Sequence, residues 1–370
     1  MESRIRWALL TIGIITAVLI VLAGCVKPIS VPQPSSKPRA STLNEFVGSE
    51  ACAKCHQEET KKHLTSGHAR TLQQVKSKSA LEILPSPGSI PKTSLAIREN
   101  DGELVVRNPE TRMYFPLTLA FGSGKQGVTY ATVIDDTTLF EMHYSYFPDK
   151  KNWYVTPGHE ATVSDAKSLG MELKGQIPRQ CILCHAVSLP ESSLKIDPKF
   201  MGVGCESCHG AGGRHLAALN TRGESDLHMA KLSTLNGDQM NELCGKCHRS
   251  VADVAKAPPS QQITQRFFPY GLSISKCFKE SANRLTCITC HDPHADLSRD
   301  NKFYETKCLS CHSGAKSLVA KSQDGVKVRT VCKVNPRSGC IPCHMPSKNS
   351  FPGTNLPIKM ADHWIKINKN

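Results

Sequence analysis

The chain has 370 residues, enough for one large or two small domains, yet only 39% are hydrophobic and 6% aromatic. That is thin for a protein interior of this length, so side chains alone are not expected to supply the core. The formal charge of +14 would ordinarily point to a polyanionic partner, but Lys and Arg are dispersed, with no basic run beyond short pairs such as Lys61-Lys62 and Lys150-Lys151. This argues against nucleic acid.

In chain order, residues 1–25 open with Arg4 and Arg6, run apolar from Trp7 to Ala23 and end in Leu22-Ala23-Gly24-Cys25. A charged start, an apolar run and small residues before a cleavage point describe an export signal. The ending has the form of a lipoprotein signal, in which Cys25 would be lipidated and hold the protein to a membrane. The other reading is an uncleaved membrane anchor, since the apolar run approaches spanning length. Residues 26–45 carry four prolines and several serines and read as an extended tether.

Residues 46–370 form the expected main domain. It opens with Cys52-Ala53-Lys54-Cys55-His56, followed by a Pro-free run from Glu58 to Lys78 that predicts a helix and holds His63 and His68. Residues 80–165 contain no cysteine. Here short β-branched runs (94–98, 103–107, 114–121, 128–134 and 139–146) alternate with turn signals such as Asn100-Asp101-Gly102 and Gly122-Ser123-Gly124. This predicts a small antiparallel insert of four to six strands, which would either bind a partner or cover the rest of the domain. From residue 170 onward short helices and loops are expected, so the fold class is mainly α and irregular with a β insert.

Six further copies of Cys-x-x-Cys-His follow: Cys181/Cys184/His185, Cys205/Cys208/His209, Cys244/Cys247/His248, Cys287/Cys290/His291, Cys308/Cys311/His312 and Cys340/Cys343/His344. Each is the attachment signature of a c-type haem, whose vinyl groups take the two thiols while the histidine becomes the proximal iron ligand. Zinc sites and thioredoxin-like redox pairs also use Cys-x-x-Cys, but neither requires the next residue to be histidine. Here all seven pairs have one, although only 15 of 370 residues are histidine. Seven covalent haems would supply the missing interior, because each porphyrin is a large apolar slab. Cys287 and Cys308 open motifs only 21 residues apart, too few for an independent core. Each haem also brings two propionates, so seven roughly cancel the excess positive charge.

Eight histidines remain for the sixth iron positions. His68, His215, His294 and His363 stand out; His228, His63, His143 and His159 follow, the last two lying in or beside the β insert. His63 and His68 are five residues apart and do not share a helical face, so at most one serves a given iron. In His291-Asp292-Pro293-His294 the proline turns the chain, and the second imidazole should serve a different haem. Eight candidates for seven positions suit bis-histidine, low-spin haems. Met345 or a nearby lysine could also cap an iron, and an open position would allow a small molecule to bind and react. Of 17 cysteines, 14 belong to motifs. Besides Cys25 this leaves Cys277 and Cys332, which in an oxidising compartment would form a disulfide, remain free thiols, or supply an axial thiolate.

Several segments resemble bacterial multihaem cytochromes c related to the tetrahaem cytochromes that accept electrons in hydroxylamine oxidation. They are Phe46-Val47-Gly48-Ser49-Glu50, 202–210, 285–294 and the Cys-His-Met-Pro ending of 340–346. The middle segment, with 121–124, Tyr130, Leu139, Tyr146, Trp153 and Pro157-Gly158, is similar to that group's cysteine-free insert. Within the group the places of His68, His215, His294 and His363 are those of distal ligands. Many relatives carry a TPR array behind the haem region, and none is expected here. The resemblance implies electron transfer along packed haems; the first reading is a carrier passing electrons between a membrane donor and a periplasmic or extracellular acceptor, with redox proteins as partners. The alternatives are an oxidoreductase with one five-coordinate haem acting on a nitrogen or sulfur compound, and an electron-transfer subunit of a larger respiratory complex. The absence of a Cys-x-x-Cys-Lys motif favours the first.

Overall fold

The computed structural model describes residues 45–77, 80, 82–160, 169–221, 227–256, 264, 266–282, 284–312 and 338–368. The leader with Cys25, nearly all of the 26–45 tether, and Cys332 lie outside these residues, so neither lipidation nor the Cys277–Cys332 pairing is addressed by them. Among the described residues no helix is long and apolar enough to cross a membrane.

The first helices are short, Ser49–Ala53 and Gln57–Leu64. The sequence expectation of one helix reaching Lys78 is corrected. Thr65, Ser66 and Gly67 end the second helix after Leu64, and Leu72–Gln74 becomes strand β1. Nine more strands follow: β2 (Gly88–Ser89), β3 (Ala96–Asn100), β4 (Glu103–Arg107), β5 (Tyr114–Pro116), β6 (Leu119–Phe121), β7 (Val128–Val133), β8 (Thr138–Phe147), β9 (Asn152–Val155) and β10 (Gly170–Lys174).

These strands make two antiparallel sheets rather than the single one expected. One has the order β2-β3-β4-β5; the other runs β1-β6-β7-β8-β10, with β9 also on β8. The run read as one strand over 114–121 is divided by Pro116, which ends β5 on one sheet before β6 starts on the other. The β3–β4 hairpin turns through Asp101 and Gly102, both at positive φ (49° and 76°) as a tight two-residue turn requires.

Strand β8 organises the larger sheet. Along one edge Thr138–Met142 pairs with β10 and Tyr144–Phe147 pairs with β9. His143 stands at the changeover: its N–H donates to Leu169 O (3.0 Å) and its carbonyl accepts from Thr156 N–H (2.8 Å). Alternation then gives β8 two apolar faces. Phe140, Met142 and Tyr144 enter a core with Tyr130, Val106, Ile97 and Leu95, where Phe115 stacks on Phe140 at 3.8 Å between centroids. Leu139 enters a second core with Leu72, Ala131, Ile182 and Ala186. That second core fastens the sheet to the helix Gln176–Leu183, which carries Cys181.

Beyond the sheets come Cys205–His209, Gly213–Leu219, Gly237–His248, Val251–Ala255, Phe268–Ser273, Lys276–Lys279, Cys287–Cys290, Asn301–His312 and Cys340–His344. A hairpin absent from the sequence reading, β11 (Ser347–Asn349) with β12 (Lys359–Ala361), closes the C-terminal part. Its loop residues Leu356 and Ile358 pack on Phe147 at the end of β8.

Ile97 is buried at the centre of the first core (1% exposed). Replacing it by alanine should cost about 2–5 kcal/mol. Denaturant unfolding followed by far-UV circular dichroism should show the lower midpoint.

Candidate haem-binding site

In every described motif the first cysteine, the second cysteine and the histidine occupy positions i, i+3 and i+4. One helical turn brings these three onto a single face. The turns are short, and local side chains fix several of them. Asn236 and Gln239 form a capping box for Gly237–His248, and Thr286 and Thr289 do the same for Cys287–Cys290. Other turns are capped by partners from a different motif. Ser49 Oγ accepts the Cys205 N–H at 3.3 Å, and the Glu305 carboxylate accepts the Cys340 N–H at 2.9 Å.

The imidazoles are oriented by what their Nδ1 atoms touch. Nδ1 of His185 donates to Thr71 O (2.9 Å), His344 to Lys366 O (3.2 Å), His215 to Leu227 O (3.0 Å) and His363 to Ala361 O (3.0 Å). His68 Nδ1 lies 3.5 Å from Pro293 O, and His294 Nδ1 lies 3.5 Å from Asp292 Oδ1. A proton held on Nδ1 leaves the Nε2 lone pair for a metal. Burial pushes His248 and His363 down to about 4, and also lowers His185, His209, His291 and His68. These rings are therefore neutral at physiological pH, the form that binds iron.

The structure then pairs rings. His56 faces His215 at 6.5 Å between centroids, His209 faces His294 at 6.2 Å, His248 faces His68 at 6.2 Å and His291 faces His363 at 6.2 Å. Two imidazoles sharing one metal ion, with metal–nitrogen bonds of about 2.0 Å and about 1.2 Å from each nitrogen to its ring centre, would have centroids roughly 6.4 Å apart. Each pair joins one motif histidine to one histidine outside the motifs. These residues fit a haem iron on an observation independent of the motif spelling.

The remaining histidines are placed differently. His63 lies 6.4 Å from His294, but its Nε2 is 2.8 Å from Val203 O and is thereby engaged. His143 and His159 are brought to each other. Their Nδ1 atoms are 3.3 Å apart and His159 Nε2 meets Glu141 Oε2 at 2.9 Å, so both nitrogens of His159 are engaged. His228 has left-handed backbone (φ 53°), one residue beyond the carbonyl that holds His215. His185 has the edge of Phe121 at 5.4 Å.

Thiols of different motifs also meet. Cys52 lies beside Cys205, Cys184 beside Cys247 and Cys244 beside Cys287. Motif one thus touches three, two touches four, and four touches five. Cys287 Sγ also donates to Asn241 Oδ1 at 3.2 Å. Cys277 lies close enough to Cys290 and Cys311 to feel their charge, and burial raises it. The supporting groups Thr71, Ser49, Glu206 and Glu305 escaped the sequence reading. A carboxylate inside a haem motif was the one available sign.

Residues 51–92 and 143–210 match the family model "Cytochrome c554 and c-prime". Over 176 residues, 36% of this chain, the sequence is 26% identical to the multihaem cytochrome MtrA of Shewanella baltica. The chain is a bacterial multihaem cytochrome c. Its cofactors are accordingly c-type haems. This multihaem cytochrome aligns with 52% of that relative, about half its length. The crystal structure of the outer cell wall cytochrome OcwA overlays with a TM-score of 0.51 at 16% identity, covering 87% of this chain and 79% of that one; the likeness is one of fold. An undecahaem cytochrome from the S-layer of Carboxydothermus ferrireducens covers 90% of this chain and 53% of its own, with a TM-score of 0.38 and 15% identity.

The two N-terminal histidines can be separated by experiment. His68→Ala should convert one low-spin haem to high-spin in the electron paramagnetic resonance spectrum of the oxidised protein. His63→Ala should leave the low-spin count unchanged.

Proposed function

We propose that the chain binds seven covalent haems and conducts electrons along them. Fourteen cysteines would hold the porphyrins: Cys52, Cys55, Cys181, Cys184, Cys205, Cys208, Cys244, Cys247, Cys287, Cys290, Cys308, Cys311, Cys340 and Cys343. His56, His185, His209, His248, His291, His312 and His344 would be the proximal ligands. His215, His294, His68 and His363 would be the distal ligands of the first, third, fourth and fifth haems. The observation that carries this reading is the set of four imidazole pairs at 6.2–6.5 Å, each formed between segments far apart in sequence.

When bound, each haem supplies a one-electron Fe(III)/Fe(II) couple. The protein's part is to hold neutral imidazoles on both sides of the iron, so that ligation does not change with redox state. It also sets attachment points close together. The thiol contacts between motifs support edge-close porphyrins and an uninterrupted electron path. The first and third sites meet, the second and fourth meet, and the fourth also meets the fifth.

The reading extends to location. Covalent haem attachment takes place outside the cytoplasm, which agrees with the charged, apolar leader; lipidation at Cys25 would keep the mature protein at a membrane surface. The donor would then be a membrane redox protein and the acceptor a periplasmic or extracellular one.

A denatured, purified chain should carry a mass increment of seven haems, and reductive titration should take up seven electrons per chain. Fewer than seven of either would overturn the count. Replacing Cys340 and Cys343 together by alanine should lower both readings by one.

A further inference from the structure

Glu206 lies between Cys205 and Cys208 of the third motif, yet its side chain serves the first. It is 3% exposed. Oε1 accepts N–H groups from Val47 (2.9 Å) and Gly212 (2.7 Å), while Oε2 accepts from Gly48 (2.8 Å) and Val47 (3.1 Å). Both oxygens act only as acceptors, which is the hydrogen-bonding pattern of a carboxylate. Val47 and Gly48 lead directly into the helix Ser49–Ala53, which carries Cys52. Gly212 leads directly into the helix Gly213–Leu219, which carries His215. Ser49 returns the contact by capping Cys205 N–H, so the two motifs hold each other. Space is tight around the carboxylate: a Cβ built at Gly212 would lie 2.9 Å from Val47 and 3.2 Å from Glu206 Oε1. The charge of Glu206 is also felt by the Cys52 thiol.

We propose that Glu206 is the positioning residue for the first haem, clamping the segment that attaches the porphyrin to the segment that delivers its distal histidine. This rests on the pairing of His56 with His215. A buried carboxylate bonded to the segments that carry Cys52 and His215 would also favour the ferric state of this haem, whose positive charge is the greater. The carboxylate therefore holds the reduction potential of this haem below the value it would have with a neutral side chain. A clamp built only of apolar contacts would fix the distance without setting the potential.

The test compares E206Q, E206D and H215M in the full-length holoprotein, read by electron paramagnetic resonance, potentiometry and intact mass. H215M identifies the low-spin component belonging to the first haem, because it exchanges that iron's distal imidazole for a thioether. E206Q should retain all haems by mass, shift the g-values of that component alone, and raise its reduction constant about tenfold, about 59 mV for one electron. E206D keeps the charge but withdraws it by one methylene, so it should shift the g-values with little change in potential. If H215M alters no component, the His56–His215 pairing falls and the proposal with it. If H215M alters one and E206Q leaves it at the wild-type g-values and potential, or moves all components together, the proposal alone falls. Should E206Q fail to load haem, E206D decides: wild-type g-values would overturn the clamp.

Discussion

Two imidazoles share one iron only if their rings stand opposite one another at a separation set by two metal–nitrogen bonds. In this protein that requirement spans long stretches of chain. For the ligand pairs proposed above, His68 would have to meet His248, His56 to meet His215, and His291 to meet His363, and the observed centroid distances are those such pairs call for. The surrounding architecture can be understood as the means of holding these distances. The β11–β12 hairpin packs on Phe147 through Leu356 and Ile358, and His363 follows two residues after β12. The buried Asp362 beside it is held by Lys348 at 2.7 Å, so the segment is anchored just before His363.

The sheets meet a different need. Short helices of four or five residues have little stability of their own, because most of their end groups lack intrahelical partners. The two sheets, by contrast, close a conventional apolar core around Tyr130, Met142, Ile97 and Val106. They carry that order to the second motif through Leu139 and Ile182. Thr71, at the entrance to β1, then orients His185 with both its carbonyl and its hydroxyl. The cysteine-free region is therefore more than a cover over one face. It fixes the angle of an imidazole.

What could be read in the sequence follows the range of the interaction responsible. Haem attachment is local, confined to five consecutive residues, so all seven motifs are visible as text. The hairpin between β3 and β4 is also local, announced by Asp101-Gly102. Pairing between imidazoles is not. Histidines such as His68 and His294 could be singled out, but nothing in the spacing says that the first meets His248 and the second His209. Nor could the text tell that His63 would spend its Nε2 on the carbonyl of Val203, a residue 140 positions away. The division of the β region into two sheets turned on Pro116, whose effect depends on which neighbour each half finds.

The buried glutamates show why the supporting groups were hardest to see. In a globular core a carboxylate at 3% or 7% exposure would be a destabilising choice unless paired, and neither Glu206 nor Glu305 is held by a cation in these contacts. Both are satisfied instead by backbone N–H groups that begin or precede another motif's helix. Such a helix is too short to be capped reliably from within, so an acceptor from a neighbouring motif completes it. The same bond fixes where that neighbour lies. In a protein whose interior is to be filled by rigid cofactors, one carboxylate thus performs two tasks that a longer helix and a larger apolar core would otherwise divide: it fixes the start of a helix and sets the distance between two attachment points. The charge it leaves inside then becomes part of the electrostatic environment of the haems.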